Sequence, residues 1–405
     1  MEIQVARFRE ALGLLKPVVL RKTSIASLTS VMVKDKQLVA TDLETMVVLP
    51  LPEADDMACL IPYNDAVKTI QYIPGAETLH IELKDGRIVM SWSDGSMTLD
   101  TMKVEDYPAV PDFKPVSEAS LDADTLIPAM FDVLGYAATE TDRPVLNGVS
   151  LILGEPVEVA AGDGFRMAHK VLPLKFPLER ILIVPSSSVR VLQLLWSKTP
   201  RTPPVTDSLI PAITAKKFSS VAVDEERGLR FVFGKSATAI VKLIAGSPPS
   251  WIQLIPKTEP KYRASVMGNE LELAVRRAYK LAKEGAGIIR MVFKDGSAII
   301  SANHEGQNVE SSISVISTLK GASSRVALNA KYLLDYLKGK EGIVTITVTE
   351  EKSPVGFRYQ AGPTVLIMPM FVQWPDKTEP AAEVKPEAEA AAAAPAEGTT
   401  EAAAK

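Results

Sequence analysis

The strongest constraint on the fold is a pattern of elements that occurs three times along the 405 residues. Each copy opens with an amphipathic helical stretch and continues with a strand pair that ends in a short Ala-x-(Asp/His) signature. A second helix and further strands follow. The signatures begin at Ala40, Ala161 and Ala302. Any α+β chain shows helices and hairpins at intervals, but the recurrence of five elements in one order favours a true repeat.

The repeat predicts an α+β fold of three similar domains, each with two helices packed on antiparallel sheets. The predicted domains are residues 1–114, 115–256 and 257–373. The second copy is longer than the first because of a Pro-rich stretch near 198–217, which is typical of an inserted loop. Three similar units in one chain favour pseudo-symmetric assembly, in which two chains close a ring of six units.

The composition changes abruptly at Trp374, and the segment 374–405 is mostly Ala, Glu and Pro. We expect this acidic segment to be disordered, because it has too few large apolar residues to offset the entropy of ordering it. It carries seven acids and three lysines, which account for the whole net charge of −4. The body is therefore neutral, which argues against a surface coated in basic charge but leaves room for a local basic stripe.

The clearest local charge signal lies on the first helix of the third copy. Arg276, Lys280 and Lys283 fall opposite its apolar stripe, so the helix presents a row of cations to solvent. Such a row is either an ordinary solvated face or a surface that contacts phosphates, and this helix alone does not decide between them. In the first copy Arg9 and Lys16 share one flank, whereas the corresponding helix of the second copy has acids and no base.

No set of residues in the sequence forms a convincing catalytic or metal centre. The FGKS run at Phe233 resembles the end of a phosphate-binding loop, but the spacing from Gly228 to Gly234 is one residue too long. His169 has no partnered nucleophile motif, and Cys59 lies in an apolar run typical of a core. With one cysteine and three histidines, we predict no disulfide, no metal, no cofactor and no catalytic residue.

The N-terminal segment lacks the basic and apolar regions of a signal peptide, and no apolar run approaches the roughly 18 residues of a membrane span. We therefore expect a soluble, cytoplasmic protein without a membrane partner.

Seven short motifs, which occur in one order, resemble a known family. They are ATDLE at Ala40–Glu44, YPAVPDF at Tyr107–Phe113, RPVLNGV at Arg143–Val149, AGDGFRMA at Ala161–Ala168, PPSWIQLIP at Pro248–Pro256, LNAKYLLDYL at Leu328–Leu337 and VLIMPM at Val365–Met370. Through them the chain resembles the bacterial DNA sliding clamp, the β subunit of the replicative DNA polymerase III holoenzyme. The chain departs from the family pattern at Phe165, where histidine is frequent, and at Pro144-Val145, where aromatic residues are frequent.

The resemblance implies three clamp-type domains per chain and a head-to-tail homodimeric ring with pseudo-sixfold symmetry. Such a ring encircles double-stranded DNA without reading its sequence and tethers the replicative polymerase, and a clamp-loader ATPase opens it. The protein would then be a processivity factor rather than an enzyme, associated with the nucleoid during replication. A neutral body suits loose phosphate contacts that permit sliding. The cations expected to face DNA are Lys22, Arg276, Lys280, Lys283, Arg9 and Lys16.

The resemblance also implies a partner groove between the second and third domains. It accepts a short peptide of glutamine-plus-hydrophobic type from polymerase, loader and other proteins with that motif. An apolar, methionine-lined groove suits the capture of different peptides. Its expected wall residues are Leu146, Gly162, Gly164, Phe165, Arg166, Met167, Pro249, Leu254, Asn329, Tyr332, Pro354, Ile367, Met368, Pro369 and Met370. The segment after Met370 is expected to emerge beside the groove and to modulate access to it.

Two other interpretations stay open. The chain is alternatively a clamp-like interaction scaffold without DNA encirclement, which the acidic helix of the second copy favours, or a nucleotide-handling enzyme on a repeated α+β scaffold. A stable monomer would favour the first alternative, and turnover abolished by one acidic substitution would favour the second.

Overall fold

The computed structural model describes residues 1–54, 57–140, 142–199, 218–224, 228–294, 296–317 and 323–374. Residues Met1–Met370 form one compact unit, and Phe371–Lys405 form a second unit, of which 371–374 are described. Nearly all of the predicted insertion near 198–217 and of the acidic segment lies outside the described residues. The domain boundaries within the body stay a prediction.

The order strand–helix–three strands occurs six times, twice in each of three successive repeats. Repeat one has β1 (Glu2–Gln4), α1 (Val5–Leu15), β2 (Ser30–Lys34), β3 (Gln37–Thr41), β4 (Thr45–Pro50), β5 (Cys59–Pro62), α2 (Tyr63–Ile70), β6 (Thr78–Lys84), β7 (Arg87–Trp92) and β8 (Gly95–Asp100). Repeat two has β9 (Pro115–Asp122), α3 (Ala123–Leu134), β10 (Gly148–Leu153), β11 (Val157–Gly162), β12 (Arg166–Leu172), β13 (Arg180–Pro185), α4 (Ser186–Lys198), β14 (Phe218–Asp224), β15 (Gly228–Phe233) and β16 (Ala237–Lys242).

A single helical turn, α5 (Trp251–Leu254), leads into repeat three, which has one additional short strand, β21. Its elements are β17 (Tyr262–Met267), α6 (Gly268–Ala282), β18 (Ile288–Lys294), β19 (Ser297–His304), β20 (Gln307–Ser314), β21 (Ile316–Ser317), β22 (Ser324–Asn329), α7 (Ala330–Leu337), β23 (Ile343–Val348), β24 (Val355–Tyr359) and β25 (Thr364–Ile367). The α+β repeat predicted from the sequence is confirmed.

Local sequence explains the element boundaries. Asp85 and Gly86 join β6 to β7 with φ angles of 50° and 71°, the left-handed pair that a tight hairpin requires and that Gly tolerates best. The sequence pattern predicts that the first helix reaches Leu20, but α1 ends at Leu15. It ends early because Pro17 has no N–H to donate, and the chain continues as a short 3₁₀ turn.

Among the described residues the strands form four antiparallel sheets, two of which cross from one repeat to the next. The strand orders are β1-β6-β7-β8, β5-β2-β3-β4-β16-β15-β14-β9, β13-β10-β11-β12-β25-β24-β23-β17-β21 and β20-β19-β18-β22. The first junction is the pairing of β4 with β16, and the second is the pairing of β12 with β25. The repeats are thus joined by main-chain ladders as well as by linkers.

Every sheet has two edge strands in the described part of the chain, and one edge of each four-stranded sheet corresponds to a junction strand. These edges are β8 in repeat one and β20 in repeat three. In the order of the repeat, β20 corresponds to β4 and β12, and β8 corresponds to β16 and β25. The two edges therefore match the two halves of the junctions.

The helices pack in pairs within each repeat, α1 with α2, α3 with α4 and α6 with α7, and they cover one face of the strands. Their apolar stripes, such as Val5, Phe8, Leu12 and Leu15 of α1, are buried. The Cys59 side chain lies in this core at 1% exposure. Core placement of Cys59, which the sequence favoured, is confirmed.

We predict that the Cys59 thiol is inert in the folded protein. Burial raises its pKa to about 12, so at pH 8 it is a protonated thiol that solvent hardly reaches. The disulfide reagent DTNB should leave the native chain unmodified for hours and react with one equivalent of thiol in denaturant. Rapid native modification at pH 8 would contradict the burial of this residue.

Candidate functional site

The residues expected to form the partner groove begin at a tight turn between β11 and β12. The Asp163 carboxylate oxygen Oδ1 accepts hydrogen bonds from the N–H groups of Phe165 and Arg166, both at 2.9 Å. Gly164 takes a φ of 95°, which favours glycine. The turn leaves the Phe165 ring 59% exposed while it directs Arg166 inward.

Arg166 links the two sides of the groove through charge. Its guanidinium donates to Asp163 at 3.1 Å and to Asp335 of α7 at 3.0 Å, and its side chain is only 13% exposed. The same group lies over the rings of Tyr332 (4.7 Å) and Tyr136 (5.5 Å). Arg166 is thereby neutralised by carboxylates and held between aromatic faces, so it acts as a fixed part of the wall.

The aromatic residues of this wall are neutral at physiological pH. Burial raises the pKa of Tyr136 to about 12, although Arg166 favours the phenolate. Burial also raises the pKa of Tyr332, whose ring stacks against Phe165 with centroids 6.3 Å apart. The aromatic part of the wall is therefore uncharged, and two of its rings stack.

The floor is an apolar cluster anchored by Trp251. It contains Leu146, Ala160, Met167, Trp251 and Leu366, all buried. The Trp251 indole N–H donates to Ser150 Oγ at 2.9 Å, which satisfies its polar group inside the core. A Cβ on Gly162 would lie 2.8 Å from the Trp251 ring, so glycine is required for the close approach.

The second junction brings the C-terminal end of repeat three onto this floor. Arg166 pairs with Ile367 across β12 and β25, and the Met368 N–H donates to the Phe165 carbonyl at 2.8 Å. The pairing of Val355 with Ile367 puts Pro354 beside Met368. The Met370 N–H donates to the Ala327 carbonyl at 2.7 Å, next to the Asn329 cap of α7.

The structure thus gathers most of the residues expected in the groove. Phe165, Leu254 and Met368 are exposed, with 59%, 48% and 42% of their surface accessible, whereas Leu146, Gly162, Met167 and Ile367 are buried. Sequence reasoning missed four residues that build the wall: Tyr136, Asp163, Trp251 and Asp335. Asp163, Trp251 and Asp335 lie inside the quoted motifs, and Tyr136 became visible only through its contact with Arg166.

The cations expected on the first copy differ in their surroundings. The Arg9 guanidinium donates to the carbonyls of Ile70 (2.8 Å) and Ile73 (2.6 Å), where it satisfies the C-terminal end of α2. Lys16 and Lys22 are exposed. Arg9 therefore has a structural contact, while the two lysines present their charge to solvent.

Arg276 and Lys280 of α6, and Lys283 at its C-terminal cap, are all exposed. Glu272 accepts from the Arg276 guanidinium at 2.6 Å, one helical turn away, and offsets that charge. Arg277 is also exposed on this helix. The row is therefore cationic mainly through Arg277, Lys280 and Lys283.

In repeat two the acids of the first helix are engaged within the fold. The Trp196 indole N–H donates to Asp124, and Lys170 donates to Asp132, each at 3.0 Å. The second helix, α4, carries the exposed bases Arg190 and Lys198. Sequence reasoning missed these two because it considered only the first helix of each copy.

The remaining chemical candidates have structural roles. Gly234 and Lys235 of the FGKS run form the turn between β15 and β16. The buried His169 makes a 2.6 Å contact with Glu158 across β11 and β12. In the described ranges no cluster of His, Cys, Asp and Glu has the arrangement of a metal site, and no helix there is long and apolar enough to span a bilayer.

Comparison with known proteins identifies one group. Residues 252–370 match the family model described as DNA polymerase III beta subunit, C-terminal domain. The beta sliding clamp of Micrococcus luteus is 26% identical over 64% of this chain and 76% of its own length. The beta sliding clamp of Chlamydia pneumoniae is 24% identical over 88% of this chain and 94% of its own length.

Solved structures share the fold. The DNA polymerase III subunit beta of Pseudomonas aeruginosa superimposes with a TM-score of 0.80 at 22% identity and covers 92% of this chain and 100% of its own. The corresponding subunit of Thermotoga maritima gives a TM-score of 0.78 at 18% identity and covers 92% of this chain and 99% of its own.

We predict that Arg166→Met destabilises the protein by about 1–3 kcal/mol, because it leaves Asp163 and Asp335 without their shared donor. Urea unfolding followed by circular dichroism would measure the loss. Arg190→Met, on an exposed position of α4, is the matched control and should change stability by less than about 0.5 kcal/mol. Equal stability of both variants would mean that the Arg166 contacts contribute nothing.

Proposed function

We propose that this chain, which belongs to the family of bacterial beta sliding clamps, closes around duplex DNA as a ring and tethers the replicative polymerase to it. It is a processivity factor and carries out no chemistry of its own. Scaffold and enzyme functions are not favoured by these relatives.

The observation that carries the ring proposal is the match between the unpaired edges and the junctions. Within the chain, β4 pairs with β16 and β12 pairs with β25. By the same correspondence, β20 should pair with β8. Since these two strands are not neighbours within one chain, the β8 that pairs with β20 would come from a second copy. Two such pairings between two chains would give six equivalent junctions in a closed, head-to-tail ring.

The exposed helix cations suit DNA that is held loosely. In such a ring we assign Lys16, Lys22, Lys280 and Lys283 to the inner surface, with Arg276 partly offset by Glu272 and Arg9 by its contacts with α2. Arg190, Lys198 and Arg277 extend this set. A few cations spread over several helices give weak, sequence-independent attraction, so that enclosure rather than affinity retains the DNA.

The groove at the second junction suits a linear segment of a partner protein. We assign to it a peptide of glutamine-plus-hydrophobic type from polymerase, clamp loader or repair proteins. Phe165, Leu254 and Met368 provide exposed apolar surface, and the Trp251 cluster provides a firm base. A wall of aromatic rings and flexible Met side chains accommodates different apolar residues.

The ring predicts that retention on DNA depends on topology. After loading by a clamp-loader ATPase with ATP, the protein should remain on a nicked circular plasmid during gel filtration. It should be released when one restriction cut makes the plasmid linear, because the ring slides off the ends. Equal retention on circular and linear DNA would show binding by affinity and contradict the proposal.

The junction model predicts that Thr98→Pro prevents dimer formation. Counted from the two-residue turn at Ser93 and Asp94, successive residues of β8 alternately direct their N–H groups toward β7 and away from it. The N–H of Thr98 points away from β7 and is available to a partner strand. Light scattering should give twice the 43.7 kDa chain mass for the unmodified protein and about one chain mass for the variant.

Thr98→Val is the matched control, because it retains the N–H and should remain dimeric. If Thr98→Pro also remains dimeric while its circular dichroism is unchanged, β8 is not the interface.

A further inference from the structure

We propose that the Met368 thioether is an oxidation site, and that a hydroperoxide, by converting it to the sulfoxide, releases partner peptides from the groove at the second junction. The release rests on the proposed function of that groove, whereas the oxidation of Met368 does not. Attachment of partner proteins then depends on the peroxide concentration around the protein.

The methionines differ in how far solvent reaches them. All thirteen lie in the described ranges, and two of them, Met267 and Met368, are exposed, each at 42%. Met167 in the floor of the groove is 4% exposed, and Met370 is half-buried. Because the sulfur must meet the oxidant in solution, Met368 is the methionine of the groove that a peroxide reaches first.

The other sulfur atoms of the protein do not compete for control of the groove. Cys59, the single cysteine, lies in the core at 1% exposure. Met267 pairs with Ile343 on β17, which β23 and β24 separate from β25 in the sheet. A peroxide therefore meets one exposed thioether at the groove and one of equal exposure away from it.

Main-chain contacts hold Met368 at the mouth of the groove. Its N–H donates to the Phe165 carbonyl at 2.8 Å, and the Met370 N–H donates to the Ala327 carbonyl at 2.7 Å. Ile367, the residue before it, is fully buried. Because these contacts use atoms other than the Met368 sulfur, they persist when that sulfur is oxidised, and the fold is retained.

The oxidation needs only the thioether and a peroxide. The Met368 sulfur attacks one oxygen of hydrogen peroxide, an S–O bond forms and the O–O bond breaks. The sulfur loses two electrons, and the second oxygen takes a proton from the first and leaves as water. The product places a polar sulfoxide where the groove had an apolar sulfur.

The fixed cation of the wall is not available to the new oxygen. The Arg166 guanidinium already donates to Asp163 at 3.1 Å and to Asp335 at 3.0 Å, and its side chain is 13% exposed. An apolar peptide side chain that covers the sulfoxide removes its water without supplying a hydrogen bond. We expect this to weaken peptide binding by about tenfold.

The first junction shows that the sensitivity is local. It is built on the same turn, because Asp42 Oδ1 accepts from the N–H groups of Glu44 (3.0 Å) and Thr45 (2.7 Å), as Asp163 Oδ1 does from that of Arg166 (2.9 Å). Thr45 therefore stands at the first junction where Arg166 stands at the second.

The place of Met368 is taken by a lysine at the first junction. The Lys242 N–H donates to the Glu44 carbonyl at 2.7 Å, as the Met368 N–H donates to the Phe165 carbonyl. Met46 of β4, the methionine of this junction, is 7% exposed. Peroxide should therefore act at the second junction and spare the first.

The peptide fluoresceinyl-Gln-Leu-Ala-Leu-Phe-amide, which has no sulfur of its own, tests the proposal on the full chain. Fluorescence anisotropy measures its affinity before and after treatment with hydrogen peroxide, which catalase then removes. Mass spectrometry of tryptic fragments gives the sulfoxide fraction at each methionine. The affinity should fall about tenfold as Met368 is oxidised. An unchanged affinity after complete oxidation of Met368 would overturn the proposal, as would a Met368 that resists while Met267 is oxidised.

Met368→Leu and Met267→Leu form a matched pair, because each removes a thioether of the same exposure. Each variant is compared with itself before and after peroxide. The treatment should leave the affinity of Met368→Leu unchanged and lower that of Met267→Leu about tenfold. An equal loss in Met368→Leu would assign the effect to another residue and refute the oxidation site.

Reduction is the test of reversibility. Methionine sulfoxide reductases of both stereochemical specificities, with dithiothreitol as reductant, should restore the affinity of the oxidised chain. A loss of affinity that survives complete reduction of Met368 would contradict the sulfoxide as its cause.

The untreated chain separates this inference from the proposed function. If it does not bind the glutamine peptide, the assignment of the groove itself is wrong. If it binds and oxidation of Met368 changes nothing, only the oxidation site is wrong.

Discussion

The ladder of main-chain hydrogen bonds that joins one repeat to the next is the interaction on which the rest of this structure depends. Where β12 meets β25, residues more than 190 positions apart in sequence become neighbours, and the groove is assembled from both sides of that pairing. Since main-chain groups make the ladder, side chains at the junction are free to vary. The two junctions therefore share one geometry yet present different chemistry, with Arg166 at one and Thr45 at the other.

Much of the fold was predictable because its signals are local. The order of elements follows from apolar periodicity, and turns such as Asp85-Gly86 follow from backbone preferences of single residues. The sequence predicts too long a first helix, because its apolar stripe continues past Leu15 although Pro17 ends the helical hydrogen bonding. Apolar periodicity could not predict which strands pair between repeats, since nothing in the sequence around Met46 indicates Ile240 as its neighbour.

The candidate site was predictable in its members but not in its contacts. Motif resemblance located Phe165, Arg166 and Tyr332, which lie together. It did not indicate that Asp335, 169 residues away, neutralises Arg166. The predicted row of cations on α6 did not take into account that Glu272 precedes Arg276 by one helical turn and pairs with it. This pairing can be predicted from the spacing of the two residues. The compensation of Asp132 by Lys170 joins separate elements and required the structure.

The unpaired edges β8 and β20 have a consequence for the proposed ring beyond its closure. The junctions within one chain are tethered by covalent linkers, so a broken ladder there finds its partner again at a high effective concentration. The junctions between chains have no such tether. Once one of them is broken, it re-forms only when the two chains collide again or while the second junction still holds them together. Of the six similar ladders in such a ring, the two between chains are therefore the easiest to open, and DNA would enter through one of them.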